Sequence, residues 1–304
     1  MAKFRDSAIP EVTLTAVAPA PESDDVVHER SIGDILSELR GLTAEQVEAI
    51  LAHQREKGIR FGAAAVALGM ASPDDVLFAL AKQFHYPYAG EAQRNLNPEL
   101  IALNQPFTQQ SESFRSIRSQ IIMRLNGDGE PRRALAVISP DTKDGKTYFC
   151  ANIAVTLAQL GGRTLVVDAD MRNPRQHEVF GIANSSGLSG VLSGRAESNV
   201  IHQVAGTPNL FVMPVGITPP NPSELVERPA FALLLRELMS KFDHVIVDTP
   251  AAIYGADASV IAARCGAALV VARSNVSRVG ALQELVETIA TTPAKLTGVI
   301  VNEF

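Results

Sequence analysis

Three short apolar runs constrain this chain more than any other feature, because each ends in polar chemistry. The first leads into Ser139-Pro-Asp-Thr-Lys-Asp-Gly-Lys-Thr147, the second is Leu165-Val-Val-Asp-Ala-Asp170, and the third is Val245-Ile-Val-Asp-Thr-Pro250. Apolar runs of this length without alternation are the pattern of strands buried on both faces of a parallel sheet. The first loop runs on into Tyr148-Phe-Cys-Ala-Asn-Ile-Ala-Val-Thr-Leu-Ala158, which reads as a helix. Strand, loop and helix, followed by two acidic strand ends, predict an α/β fold with a doubly wound, mostly parallel P-loop sheet. In such sheets ligands bind beyond the carboxyl ends of the strands. Asp168, Asp170 and Asp248 are therefore expected to reach the loop, with Asp168 and Asp170 on one side by the period-two geometry of a strand.

The loop suits a nucleoside triphosphate. Gly145 can adopt backbone angles closed to other residues and lets main-chain N–H groups approach phosphate oxygens. The helix that follows begins with unpaired N–H groups and a partial positive charge, which favour an anion. Lys146 supplies a point charge for the β- and γ-phosphates, and the Thr147 hydroxyl is a candidate Mg²⁺ ligand. The general phosphate-loop pattern GxxxxGK[ST] is broken at its first glycine, where Pro140 stands. A buried carboxylate is costly unless paired or bound to metal, and Mg²⁺ would compensate the three aspartates.

Four ordered motifs carry a family resemblance over residues 107–304. Ser139–Thr147 resembles a Walker A loop that often reads S-x-x-P-G-E-G-K-S/T. Val166-Val-Asp-Ala-Asp-Met-Arg-Asn-Pro174 keeps D-x-D-x-R-x-P, the Walker A′ motif. Pro214-Val-Gly-Ile-Thr-Pro-Pro-Asn-Pro-Ser-Glu-Leu225 resembles G-x-x-P-P-N-P-x-E-L, and Glu112-Ser-Phe-Arg-Ser-Ile-Arg118 matches E-x-x-R-x-x-R. Together they resemble the bacterial tyrosine kinases of capsule and exopolysaccharide export, a branch of the deviant phosphate-loop ATPases that includes the MinD/ParA type. The signature lysine of the MinD/ParA branch would stand at position 141, which is Asp141.

The resemblance implies roles residue by residue. Thr142, Lys143, Asp144, Gly145, Lys146, Thr147 and Tyr148 would bind ATP, with Asn302 reading adenine. Thr147, Asp170 and Asp248 would hold Mg²⁺, directly or through water. Asp168 would be the base toward an incoming hydroxyl, with Lys146 and Asp170 completing the catalytic set. Glu112, Arg115 and Arg118 would lie on a helix that joins subunits. A membrane chain-length determinant (Wzz-like) protein would be the partner.

The chain also departs from the family. Thr142 and Lys143 replace the usual Pro and Gly of the loop, so it must turn with fewer glycines. The sequence stops at Phe304, directly after the last apolar run, and its tyrosines are Tyr86, Tyr88, Tyr148 and Tyr254, with no cluster. The expectation is therefore a kinase regulating exopolysaccharide chain length and export that phosphorylates something other than its own tail. The alternative is an ATPase that uses ATP only to switch its assembly state with the membrane partner.

Of 304 residues, 46% are hydrophobic, which is enough for two cores. The net charge of −6 and the absence of a basic block argue against nucleic-acid binding. Cys150 and Cys265 lie in apolar surroundings and read as reduced core residues. No uncharged apolar stretch reaches the roughly 18 residues of a membrane span, and the first residues lack the apolar region of a signal peptide. The expectation is a cytoplasmic protein, peripheral to the inner membrane through its partner. Residues 1–30, with Pro10, Pro19, Pro21 and an acidic run, read as disordered. Residues 91–107 read as a linker ahead of a domain spanning 108–304.

Between them, residues 31–90 form a helical tandem-repeat domain. Its period is 29 residues: Gly33 matches Gly62, Val47 matches Val76, Leu51 matches Leu80 and Gln54 matches Gln83. Thr43-Ala-Glu-Gln46 is a capping box, and Ser72-Pro-Asp-Asp75 places Ser at N-cap and Pro at the first helical position. Each copy reads as helix, tight turn, helix. The tandem resembles the N-terminal domain of type II secretion and pilus ATPases, which in some members binds cyclic di-GMP. Arg60, Gly62, Gly69 and Gln83 match the family motif in the second copy. Ser31 and Arg40 depart from it in the first, and Ala65 replaces a leucine in the second. The resemblance implies either a cyclic di-GMP site or a protein-docking module.

Overall fold

The computed structural model describes residues 30–83, 97–125, 131–195 and 198–303. By contact these fall into two units, the first within residues 16–95 and the second from residue 96 onward. Residues 1–29 of the 1–30 stretch expected to be disordered, and the tyrosines Tyr86 and Tyr88, lie outside the described residues.

The first unit holds α1 (Ile32–Arg40), α2 (Ala44–Lys57), α3 (Phe61–Ala67) and α4 (Pro73–Gln83). The repeat shows in its helix starts: α1 and α3, like α2 and α4, begin 29 residues apart. Reciprocal capping boxes open α1 (Ser31 with Asp34) and α2 (Thr43 with Gln46). Ser72 and Asp75 exchange the same bonds at the start of α4. Ile35, Leu36, Ile50, Ala64, Ala65 and Ala79 make a small separate core. Arg40, where the repeat motif has glycine, reaches across to Asp75 at 2.7 Å and ties α1 to α4.

The second unit continues with α5 (Ile101–Asn104), α6 (Gln109–Leu125), β1 (Ala134–Ile138), α7 (Lys146–Ala158), β2 (Thr164–Asp168), α8 (Gln176–Phe180) and α9 (Leu188–Leu192). Then come β3 (His202–Gln203), β4 (Leu210–Met213), α10 (Pro222–Glu227), α11 (Pro229–Lys241), β5 (His244–Asp248), α12 (Asp257–Cys265), β6 (Gly266–Arg273), α13 (Val279–Ala290) and β7 (Lys295–Asn302). The strands form one seven-stranded sheet in the order β3-β4-β2-β5-β1-β6-β7. Only the short β3 runs antiparallel; the other pairings are parallel. Ala134, Ala136, Ile138, Leu165, Val167 and Val247 pack against Phe231, Leu235, Ile261 and Ile289 of α11, α12 and α13. The alternate residues Leu135, Val137, Val166 and Ile246 are buried as well, since α7 lies along β2 and β5. Coverage on both faces explains the uninterrupted apolar runs.

Residues 97–107 of the stretch expected as a linker are not free of the second unit. From residue 97 onward it is packed into the second unit, with Leu100 and Leu103 buried in α5 and its approach. The buried Asn152 on α7 holds it: its Oδ1 accepts the Ala102 N–H at 2.9 Å and its Nδ2 donates to the Glu99 carbonyl at 2.8 Å. Pro98 and Pro106 shape this segment without freeing it, because its polar backbone finds partners at long sequence range.

Candidate nucleotide site

Beyond the carboxyl ends of β1, β2 and β5 lies a cleft of about 750 Å³. Thr142, Lys143, Gly145, Lys146, Thr147, Tyr148 and Asp170 line it, with Arg175, Tyr254 and Arg273. Gly145 caps α7 at φ 101°, so the helix N-terminus opens directly onto this space. Lys143 occupies a left-handed backbone at φ 63°, a region that favours glycine. That conformation costs a non-glycine residue about 1 kcal/mol or more, so the loop makes its turn with a lysine under mild strain. Lys146 is nearly buried, and its ammonium donates to the Ser139 hydroxyl at 2.8 Å.

Two residues of the expected ATP set have other duties. Asp144 is fully buried, and its carboxylate accepts the Asp141 N–H at 3.0 Å and the Ser277 hydroxyl at 2.8 Å. It braces the loop from inside rather than facing a ligand. Asn302, at the end of β7, donates to the Asp144 carbonyl at 3.1 Å. It borders a separate apolar pocket of about 280 Å³, with Phe114, Tyr148 and Phe149.

The three aspartates do not share one surface. Strand β2 ends at Asp168, so Asp170 lies in the loop beyond and strand alternation no longer relates them. Asp170 faces the cleft and accepts the N–H groups of Arg172 and Asn173. Asp168 lies beneath it, fully buried, accepting backbone N–H groups from Asp170, Arg175 and Gln176. Asp248 is paired beside it in the sheet register and is also buried. Burial pushes the Asp168 carboxyl well above the ordinary carboxylate range, and neighbouring Asp248 adds to this. Burial likewise raises Asp248, to about 6, with Lys146, Thr147 and Gln176 holding it down against Asp170.

These residues suit a hydrated divalent cation. Among the described residues no three carboxylates, histidines or cysteines form a metal cage by themselves. Asp248 Oδ1 is nevertheless buried without a hydrogen-bond partner, close to the Thr147 hydroxyl. One hydroxyl and one or two carboxylates are the donor set Mg²⁺ takes when phosphates and waters complete its shell.

Sequence reasoning missed several supports. Gln176, at the start of α8, touches the Thr147 carbonyl and Asp248, and no motif marks it. The arginine of D-x-D-x-R-x-P is explained by contacts the sequence did not show. Arg172 donates to Asp257 at 2.9 Å and to Ser223 at 3.1 Å, tying the Asp170 loop to α10 and α12. Arg115 and Arg118 also turn inward: Arg115 pairs with Glu112 and bonds the Pro106 carbonyl, and Arg118 donates to the Thr156 carbonyl of α7 at 2.8 Å. Only Glu112 of that triplet is largely exposed. In the first unit, Gly62 is a packing residue, since a Cβ there would stand 2.5 Å from Val76. Gly69 makes a left-handed turn at φ 68°, and Arg60 is exposed at the N-cap of α3.

Residues 135–304 match the family model described as the CobQ/CobB/MinD/ParA nucleotide binding domain. The chain is 40% identical over 163 residues to CapB of Staphylococcus aureus, named as a candidate tyrosine-protein kinase, covering 54% of this chain and 71% of that protein. It is 31% identical over 210 residues to the tyrosine-protein kinase YwqD of Bacillus subtilis, covering 69% of this chain and 86% of the relative. This chain belongs to the bacterial tyrosine-protein kinases. The kinase domain of the Escherichia coli tyrosine kinase ETK superposes with a TM-score of 0.64 at 29% identity, covering 68% of this chain and 80% of that one. The tyrosine-protein kinase wzc of Salmonella typhimurium is 31% identical, but this chain spans only 29% of its length. No helix among the described residues is long and apolar enough to cross a membrane.

Proposed function

We propose that this chain binds ATP with Mg²⁺ in the cleft and transfers the γ-phosphoryl group to a tyrosine hydroxyl on another protein of exopolysaccharide export. The observation that carries this reading is the convergence of Lys146, Thr147 and Asp170 on one cleft at the N-terminus of α7. Lys146 and the first N–H groups of α7 would take the β- and γ-phosphates. Thr147 and Asp248, with Asp170 directly or through water, would hold Mg²⁺. The cation would neutralise charge developing on the transferred group. Asp168 has the raised proton affinity a base needs, and it would act once the Asp170 loop yields its bond to Asp168 Oδ1.

That same sealed position of Asp168 favours a second reading, an ATPase switch whose nucleotide state sets assembly. In both readings the partners are a membrane chain-length determinant (Wzz-like) protein and further copies of this chain through the α6 face of Glu112. Such a partner would hold a cytoplasmic chain at the inner membrane. The first unit would add either a docking surface or a cyclic di-GMP site around Arg60 and Gln83. Incubation with labelled ATP, Mg²⁺ and a Glu/Tyr copolymer separates the readings. Phosphotyrosine on the copolymer, lost in Lys146→Ala and reduced about 10²-fold or more in Asp168→Asn, is the expected result. Release of inorganic phosphate alone leaves the switch.

A further inference from the structure

Gln176 is fully buried, and no apolar packing argument calls for a carboxamide there. Its Nε2 donates to Asp248 Oδ2 at 2.9 Å and to the Thr147 carbonyl at 3.2 Å. Both partners are acceptors, so the amide orientation follows from the network and Oε1 must face away from them. Its own N–H donates to Asp168 Oδ2 at 3.0 Å. One residue thus contacts both buried carboxylates and the residue that offers its hydroxyl to the cleft.

The bonds it leaves unmade are as informative as those it makes. Gln176 Oε1 and Asp248 Oδ1 are both buried and both lack a hydrogen-bond partner among the described residues. A buried acceptor without a donor costs on the order of 1–3 kcal/mol. Asp248 Oδ1, beside the Thr147 side chain that lines the cleft, marks a place where a ligand can complete the bonding. A divalent cation or the water bound to it does so.

We infer that Gln176 is a positioning residue for the metal: it holds Asp248 by one oxygen so that the other stays free for the cation. This rests on the reading that Mg²⁺ accompanies the nucleotide in this cleft. It assigns Gln176 no contact with the nucleotide and no part in proton transfer.

The test separates metal from nucleotide. Affinity for a fluorescent ADP analogue is measured in the full chain, with EDTA and with Mg²⁺. In Gln176→Met, which keeps the bulk and removes the amide, the Mg²⁺-dependent gain in affinity should fall about tenfold, as removal of outer-shell partners typically does. Affinity in EDTA should stay within about twofold of the parent, since neither Lys146 nor a loop N–H group bonds Gln176. Equal loss in both conditions would show a structural role only and overturn the inference, as would an unchanged gain. A parent chain without any Mg²⁺-dependent gain would instead overturn the metal reading itself. Should Gln176→Met fail to fold, the native chain still decides. With ¹⁵N-labelled glutamine, the Gln176 side-chain amide signals should shift when Mg²⁺ is added to the nucleotide-bound protein. Signals that stay in place would sink the proposal.

Discussion

Asp248 shows how one residue couples metal, pH and stability. It ends a strand whose inner residues must be apolar, so its carboxylate is taken out of water together with that of Asp168. Burial raises it from an ordinary 3.8 to about 6. The folded state therefore keeps a proton that the unfolded chain releases at lower pH. This contribution to stability is fully present below about pH 4 and is lost as pH rises through about 6. Metal binding runs the other way, because it needs the ionised form. The expected outcome has opposite signs: between pH 7 and 5 the Mg²⁺-dependent part of nucleotide affinity falls, approaching tenfold per pH unit below 6. Over the same range the site's own contribution to apo stability grows. Titration calorimetry of Mg²⁺ with nucleotide at pH 5, 6 and 7 checks this. A flat response across that range would mean that Asp248 does not bind the cation in its ionised form.

At the scale of elements, glycine 62 shows the first unit to be a packing solution rather than a loose pair of hairpins. Helices α3 and α4 approach so closely that a Cβ at Gly62 would stand 2.5 Å from Val76 Cγ1. Alanine gains roughly 1 kcal/mol in helix propensity over glycine, but here overpacking should win. Gly62→Ala is expected to destabilise this unit by about 1–3 kcal/mol, and Val76→Ala in the same chain should recover part of it. Urea unfolding of the single and double variants measures the coupling; purely additive losses would show that the two residues do not meet. Gly62 was legible in the sequence as half of a repeat, but its reason was not, because the reason is a neighbour fourteen positions away. The same division runs through the second unit. The β1–loop–α7 unit, the capping boxes and the sheet were readable because periodicity and caps are local. The packing of α5 was not, since it hangs on Asn152 about fifty residues later. Gln176 was invisible for the same reason, and Asp168 and Asp170 were grouped wrongly because the end of β2 cannot be read from an apolar run that continues into acids.

For the whole molecule, the two units have separate hydrophobic cores, one built on the sheet and one on four short helices. The described residues that line the candidate nucleotide cleft belong to the second unit. A ligand stabilises only the cooperative unit that binds it, by RT ln(1 + [L]/Kd), or about 2.7 kcal/mol at a hundredfold excess over Kd. In a unit of this size that corresponds to a rise in Tm of roughly 5–10 °C. Differential scanning calorimetry of the full chain should therefore resolve two transitions. Mg²⁺ with ADP should move the larger one upward and leave the smaller in place, and Lys146→Ala should cancel the shift. Cyclic di-GMP supplies the converse experiment. If the helical repeat is its receptor, it moves the smaller transition; if the repeat is a docking module, neither moves. A single transition responding to both ligands would mean that the two cores unfold as one, and each ligand would then report on the other's site through the coupling free energy between them.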